Sequence, residues 1–361
     1  MPALALPGPF SSRSRLRSGL VRHTAGAFAN MALAFAIIAA ASTGALAKTA
    51  PPQSCKGRDI LADLQQNDPA SLEKIMAQAK ATKNDGAVLW RIERDGKPAS
   101  HLFGTIHLTD DRITTLSKAV RTAIAGSRVV ALEVADISPV ATMEAIGDAS
   151  QLVLLPEGQR LDEMISAEVY AEIENKLEEA DVPSATAYML KPWVVSMILA
   201  VDQCERARAA MGKPVLDMVI SQTAQKQKIP VIGLETMQSQ LEAAAAVPMD
   251  EQMQILRASL VHANRANDLR ETVLRLYQER KLGAVMPLQL YAAAKSGEVV
   301  DDLEDFREAL ITKRNRTMRT RALPLLAEGG AFIAVGAMHL IGEDGLVQLF
   351  RDAGYTVVPV E

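Results

Sequence analysis

Twice in this chain a short apolar run ends in the same four-residue pattern. Ser100-His101-Leu102-Phe103 passes into Gly104-Thr105-Ile106-His107, and Ala331-Phe332-Ile333-Ala334-Val335 passes into Gly336-Ala337-Met338-His339. Runs of this length, bounded by glycine, read as strands. Glycine at a strand's end lets the chain turn sharply, or lets a ligand or another backbone come close. Two further apolar runs end in an acid: Arg128-Val129-Val130-Ala131-Leu132-Glu133 and Ile229-Pro230-Val231-Ile232-Gly233-Leu234-Glu235. Such continuous apolar strands are typical of a parallel sheet covered on both faces. Helical stretches at about 114–125 and 215–227 precede the two acid-ended strands, and strand, helix, strand implies a parallel crossover. The fold class is therefore α/β with a mostly parallel sheet. Open parallel sheets bind ligands at the carboxyl edge of their strands. That edge would gather His107, Glu133, Glu235 and His339.

The remaining chain fills in around this frame. Residues 59–80 read as two short helices split at Asn67-Asp68-Pro69, with Asp68 as cap and Pro69 in the first helical position. Ala87–Arg94 and Ser100–Thr105 form a hairpin through the turn Asp95-Gly96. A large Ala-rich helical insertion runs from about 139 to 326, broken by the strand at 229–235, with Pro183 and Pro192 breaking or kinking it. A helix near Asp344–Asp352 and a last strand over Gly354–Val360 close the chain.

The first 47 residues carry Arg13, Arg15, Arg17 and Arg22 and no acid, then a mostly apolar stretch, then Ala45-Leu46-Ala47. Basic flank, short apolar run and small-residue site together predict a cleavable secretory signal over 1–47. The rival is a retained anchor, but the apolar run is short for a bilayer and contains Asn30. Removing 47 of 361 residues leaves 314, expected to form one domain over 48–361 with no integral membrane span. Losing four arginines takes the formal charge from −4 to −8. An acidic chain without a basic face is a poor nucleic-acid binder, so none is expected as a partner. The two cysteines, Cys55 and Cys204, are expected to pair in an oxidising compartment.

Two imidazoles and a carboxylate are a usual ligand set for a divalent transition metal, with positions left for water. His107, Glu133 and His339 are the candidate metal ligands and catalytic residues, and Mn, Co or Zn the candidate ions. Glu235 is the fourth catalytic candidate, as a base or as an orienting group. The plainer role for either glutamate is to cap a helix or pair with an arginine. His101 reads as a partly buried strand residue, and His262 as a structural helix residue. Lys313, Arg314, Arg316, Arg319 and Arg321 form a basic helical turn, read first as a solvated face and second as an anion contact. The chain has no Gly-x-Ser-x-Gly elbow, His-Glu-x-x-His helix, Cys-x-x-Cys pair or phosphate-binding glycine loop.

Read in order, Leu89-Trp90-Arg91-Ile92, Ser100–His107 and Ala131-Leu132-Glu133 resemble the start of a TraB/GumN family protein. Leu234-Glu235-Thr236, Lys313-Arg314-Asn315, Gly336–Leu340, Gly345-Leu346 and Gly354-Tyr355 resemble its later blocks. That family is similar to the Tiki metalloproteases and, more distantly, to erythromycin esterases and haem-binding ChaN proteins. The resemblance implies an α/β fold of two related halves and a site of His107, His339 and Glu133. It implies an exported metal-dependent hydrolase, with a metallopeptidase among the options. A non-catalytic periplasmic binder of haem or another ligand and a metal-independent hydrolase using His107 as base remain open. Neither the substrate, peptide or small molecule, nor the oligomeric state is legible.

Overall fold

The computed structural model describes residues 55–295, 297 and 303–361. The expected signal segment lies outside the described residues, as do residues 296 and 298–302 of the helical insertion.

The described residues form one six-stranded sheet in the order β4-β3-β5-β2-β1-β6. The strands are β1 (Leu89–Glu93), β2 (Ser100–Thr105), β3 (Val129–Leu132), β4 (Val231–Gly233), β5 (Ala331–Gly336) and β6 (Thr356–Pro359). β4, β3, β5 and β2 run parallel, with Leu132 opposite Gly233 and Ala334, and Thr105 opposite Gly336. β1 is antiparallel to β2 and β6 antiparallel to β1, so the sheet is mixed at one side. β5 lies in the middle and is buried along its whole length, as its uninterrupted apolar run requires. The Arg94–Lys97 turn closes the β1–β2 hairpin, with Gly96 at φ 71°.

Local chemistry sets the helix ends. Asp68 accepts from Ser71 N, and Pro69 opens the helix Pro69–Ala81, as expected. The stretch expected to be helical over 114–125 is instead two pieces, Asp111–Thr114 and Lys118–Ala125. Ser117 restarts the helix by capping Val120 N. Pro192 breaks the pattern by starting a helix: Pro192–Ala200 has every residue but the last buried, and it packs along Met249–Ala263. Three apolar clusters result. The first surrounds the sheet, the second fills the helical insertion, and the third lies under the N-terminal helices Ile60–Asn67 and Pro69–Ala81. The Cys55–Cys204 disulfide ties the start of the described chain to the helix Gln203–Ala210. No helix among the described residues is long and apolar enough to cross a membrane.

Candidate functional site

The carboxyl ends of β2, β3, β4 and β5 share one edge, and each delivers a side chain there: His107, Glu133, Glu235 and His339 respectively. The two motifs also touch. A Cβ on Gly104 would lie 3.0 Å from Ala337 Cα and 3.0 Å from Leu340 Cδ2. Glycine is thus needed for close approach of the first motif to the second. Tyr277, buried on the helix Ala266–Gln278, donates its hydroxyl to Gly104 O at 2.7 Å and fixes that strand end.

Glu133 and Glu235 are neighbours because β3 and β4 stay paired beyond the strands, with Glu235 N donating to Glu133 O at 2.6 Å. Two buried carboxylates side by side repel unless a cation lies between them. Arg314 supplies it. Its Nη2 lies 2.7 Å from Glu133 Oε2 and 2.7 Å from Glu235 Oε2, and its Nε is 3.0 Å from Glu235 Oε2. Gln240 donates to both acids, at 3.0 and 3.3 Å, and Gly336 N donates to Glu133 Oε1 at 2.6 Å. Burial alone would raise the pKa of Glu133. The Arg314 charge, with His107 and the Gly336 N–H adding to it, instead holds it down to about 2. The basic turn read as a solvated face is therefore corrected at Arg314. Lys313, Arg316 and Arg321 are exposed, whereas Arg314 is buried between the two glutamates. The pairing with arginine set out as the plainer role of Glu133 and Glu235 is also present.

Each histidine is oriented through its Nδ1. His107 Nδ1 lies 2.7 Å from Asp217 Oδ2, while Asp217 Oδ1 accepts from Thr105 Oγ1 at 2.7 Å. Burial opposes protonation of His107, but the Asp217 carboxylate outweighs it and raises the pKa. His339 Nδ1 lies 2.7 Å from Asn315 Oδ1, and Asn315 Nδ2 donates to Asp344 O at 2.7 Å. With its amide committed to Asp344, Asn315 presents its oxygen to the imidazole. His339 therefore carries its proton on Nδ1 and a lone pair on Nε2. Burial and the Arg314 charge push the His339 pKa down to about 3, so the ring is neutral. The Nε2 atoms of both histidines are buried without a hydrogen-bond partner. His339 Nε2 faces Glu133 Oε1 at 3.7 Å.

The sequence reading missed Asp217 and Gln240, placed Arg314 on a solvated face and left Asn315 without a role. Asp217 carried one signal: it shares a buried helical stripe with Ile220 and Ala224, where a carboxylate needs a partner. Arg314 and Asn315 follow a π-helical turn, Glu308–Thr312, which alters the helical phase just before them. His101 lies at the opposite end of β2 from His107 and does not join the cluster. His262 lines the same cavity as His107, of about 150 Å³, and its Nε2 contacts Gln289 O at 3.1 Å.

Residues 88–359 match the family model described as the TraB/PrgY/gumN family. The chain belongs to that family. Its similarity to the zebrafish (Danio rerio) protein named metalloprotease TIKI1 is 26% identity over 314 residues, 74% of this chain and 62% of that one. The human protein of the same name is 24% identical over 315 residues, covering 74% of this chain and 61% of its own. YbaP of Shigella flexneri, an uncharacterized protein, is 27% identical over 262 residues, 71% of this chain and 89% of its own. The chain thus spans about six-tenths of the length of these Tiki relatives. No solved structure matches it. As a TraB/PrgY/gumN protein, it carries both Gly-x-x-His motifs inside the matched region.

Among the described residues, no three His, Cys, Asp or Glu side chains stand ready-made as a metal site. The donor chemistry nevertheless fits a divalent ion. Two imidazole nitrogens lack partners, each ring is oriented through its other nitrogen, and an ionised carboxylate faces one of them.

Proposed function

We propose that this protein is an exported, metal-dependent hydrolase, with peptides as the first substrate class to test. The observation that carries the reading is the pair of buried, unpartnered Nε2 atoms on His107 and His339. The Tiki relatives, named metalloproteases, support it. So does the disulfide, since such bonds persist mainly in oxidising compartments. The domain is taken as residues 48–361, following a cleaved signal over 1–47.

His107, His339 and Glu133 would hold the ion. Bound there, a divalent ion such as Mn, Co or Zn would polarise a carbonyl and make a nearby water more acidic. His339 offers a neutral ring with its lone pair fixed by Asn315. Glu133 stays ionised through Arg314, and Glu235 shares that guanidinium and so keeps it in place. Asp217 holds the His107 ring through Nδ1, the orientation that leaves Nε2 for the ion. His107 alone of the three lines the cavity, so it meets substrate directly.

One contact favours a second reading. The Asp217–His107 pair at 2.7 Å is the arrangement of a carboxylate-oriented general base, and it would serve a hydrolase that needs no metal. Assaying the purified chain on a quenched-fluorescent peptide library, with and without added Mn, Co or Zn, separates the two. Cleavage that chelation abolishes and His107→Ala removes is the expected result. Cleavage that persists under chelation selects the metal-free reading. No cleavage, together with a Soret band on haem titration, would replace both with a binding role.

A further inference from the structure

The cavity beside His107 has more specific chemistry than a general cleft. It is walled by Ile106 and Leu108 on either side of the histidine, Met338 of the second motif, Leu269 and Val273 of the helix Ala266–Gln278, and Val285. Both Gly-x-x-His loops thus contribute an apolar wall to one space. A cavity of about 150 Å³ whose wall is mostly apolar, with Ser259, His262 and Gln289 also on it, holds a group of roughly benzene size.

The guanidinium at its polar end is already paired. Arg270, buried, lies 3.4 Å through Nε from Asp202 Oδ2 and 3.6 Å through Nη1 from Asp110 Oδ2. These contacts are ion pairs and not hydrogen bonds, since Nε and Nη1 make none. The two carboxylates outnumber the guanidinium, so an incoming carboxylate would meet net negative charge.

We infer that this cavity is a specificity pocket that takes a leucine- or phenylalanine-sized apolar side chain of a peptide and presents the adjoining backbone to His107. The inference rests on the hydrolase reading for its meaning as substrate selection, but binding itself needs no turnover. Filling an apolar space of this size separates leucine from alanine by about ten-fold or more in affinity.

The test is ligand-observed NMR on the purified full chain with blocked tripeptides of the form alanyl-X-alanine, where X is leucine, phenylalanine, alanine or glutamate. Leucine and phenylalanine peptides are expected to bind at least about ten-fold more tightly than the alanine peptide, with glutamate the weakest. Val273→Phe fills the cavity and is expected to erase the leucine preference. Should that bulky variant not fold, Val273→Ala enlarges the space and is expected to shift preference from leucine toward phenylalanine. Equal affinities, no binding of any peptide at millimolar concentration, or a preference that the Val273 variants leave unchanged would overturn the inference. Product resonances in the same spectra report cleavage independently. Preference without cleavage rejects only the hydrolase reading, and cleavage without preference rejects only the pocket.

Discussion

Arg314 decides whether the site can exist at all. It is the cation between two carboxylates that the sheet forces together, and its removal leaves both buried without a counter-charge. Arg314→Met is expected to cost about 3–5 kcal/mol of stability in urea denaturation. Adding Glu133→Gln and Glu235→Gln to it should recover much of that loss, because the repulsion goes with the charges. An Arg314→Met chain as stable as the parent would show that the guanidinium is not the counter-ion. At this scale His107, Glu133, Glu235 and His339 were legible because each ends an apolar run, where few roles other than an edge position are open. Arg314 was not. It sits in a row of basic residues, and composition does not say which of them turns inward once a π-turn has altered the phase. Asp217 is distant in sequence from His107, and Gln240, though five residues from Glu235, is distant from Glu133, so only the packed structure makes those pairs.

At the scale of elements, the site depends on how closely two strand ends approach. Gly104 has backbone and side-chain atoms of the second motif 3.0 Å from where a Cβ would stand. Gly104→Ala should push β2 from the Ala337–Leu340 turn, at a cost of about 1–3 kcal/mol in chemical denaturation. A neutral outcome would mean that the turn can retreat and that the contact is not tight. The strands themselves were readable: β3 and β5 lie within one or two residues of the apolar runs that announce them. The regular part of β4 is shorter than its run, but pairing with β3 continues past both of its ends, Val130 N donating to Pro230 O and Glu235 N to Glu133 O. The helical insertion was legible only as a whole. Its breaks depend on caps such as Ser166 and Thr236, which look like any other polar residue until a backbone N–H meets them.

For the whole molecule, the chain must bring its two ends to one edge. The Cys55–Cys204 bridge spans 149 residues and joins the N-terminal helical layer to the insertion. Closing so long a loop in the unfolded chain stabilises the fold by about 2–5 kcal/mol. Cys55→Ser with Cys204→Ser should lower stability by that amount, and a reductant should do the same to the parent but not to the variant. Equal denaturation midpoints with and without reductant would contradict this. The pairing was legible because only two cysteines exist. The central claim also spans the molecule, since it makes one metal site from His107 and His339, which belong to opposite ends of the described chain. The most direct test loads the purified protein with Mn, Co or Zn, removes the excess, and measures bound metal by elemental analysis in the parent, His107→Ala and His339→Ala chains. About one ion per parent chain, lost in both variants while each remains folded, is the result expected from a site with a shared ligand set. No retained metal under any loading condition, or metal retained in either variant at the parent level, would contradict it.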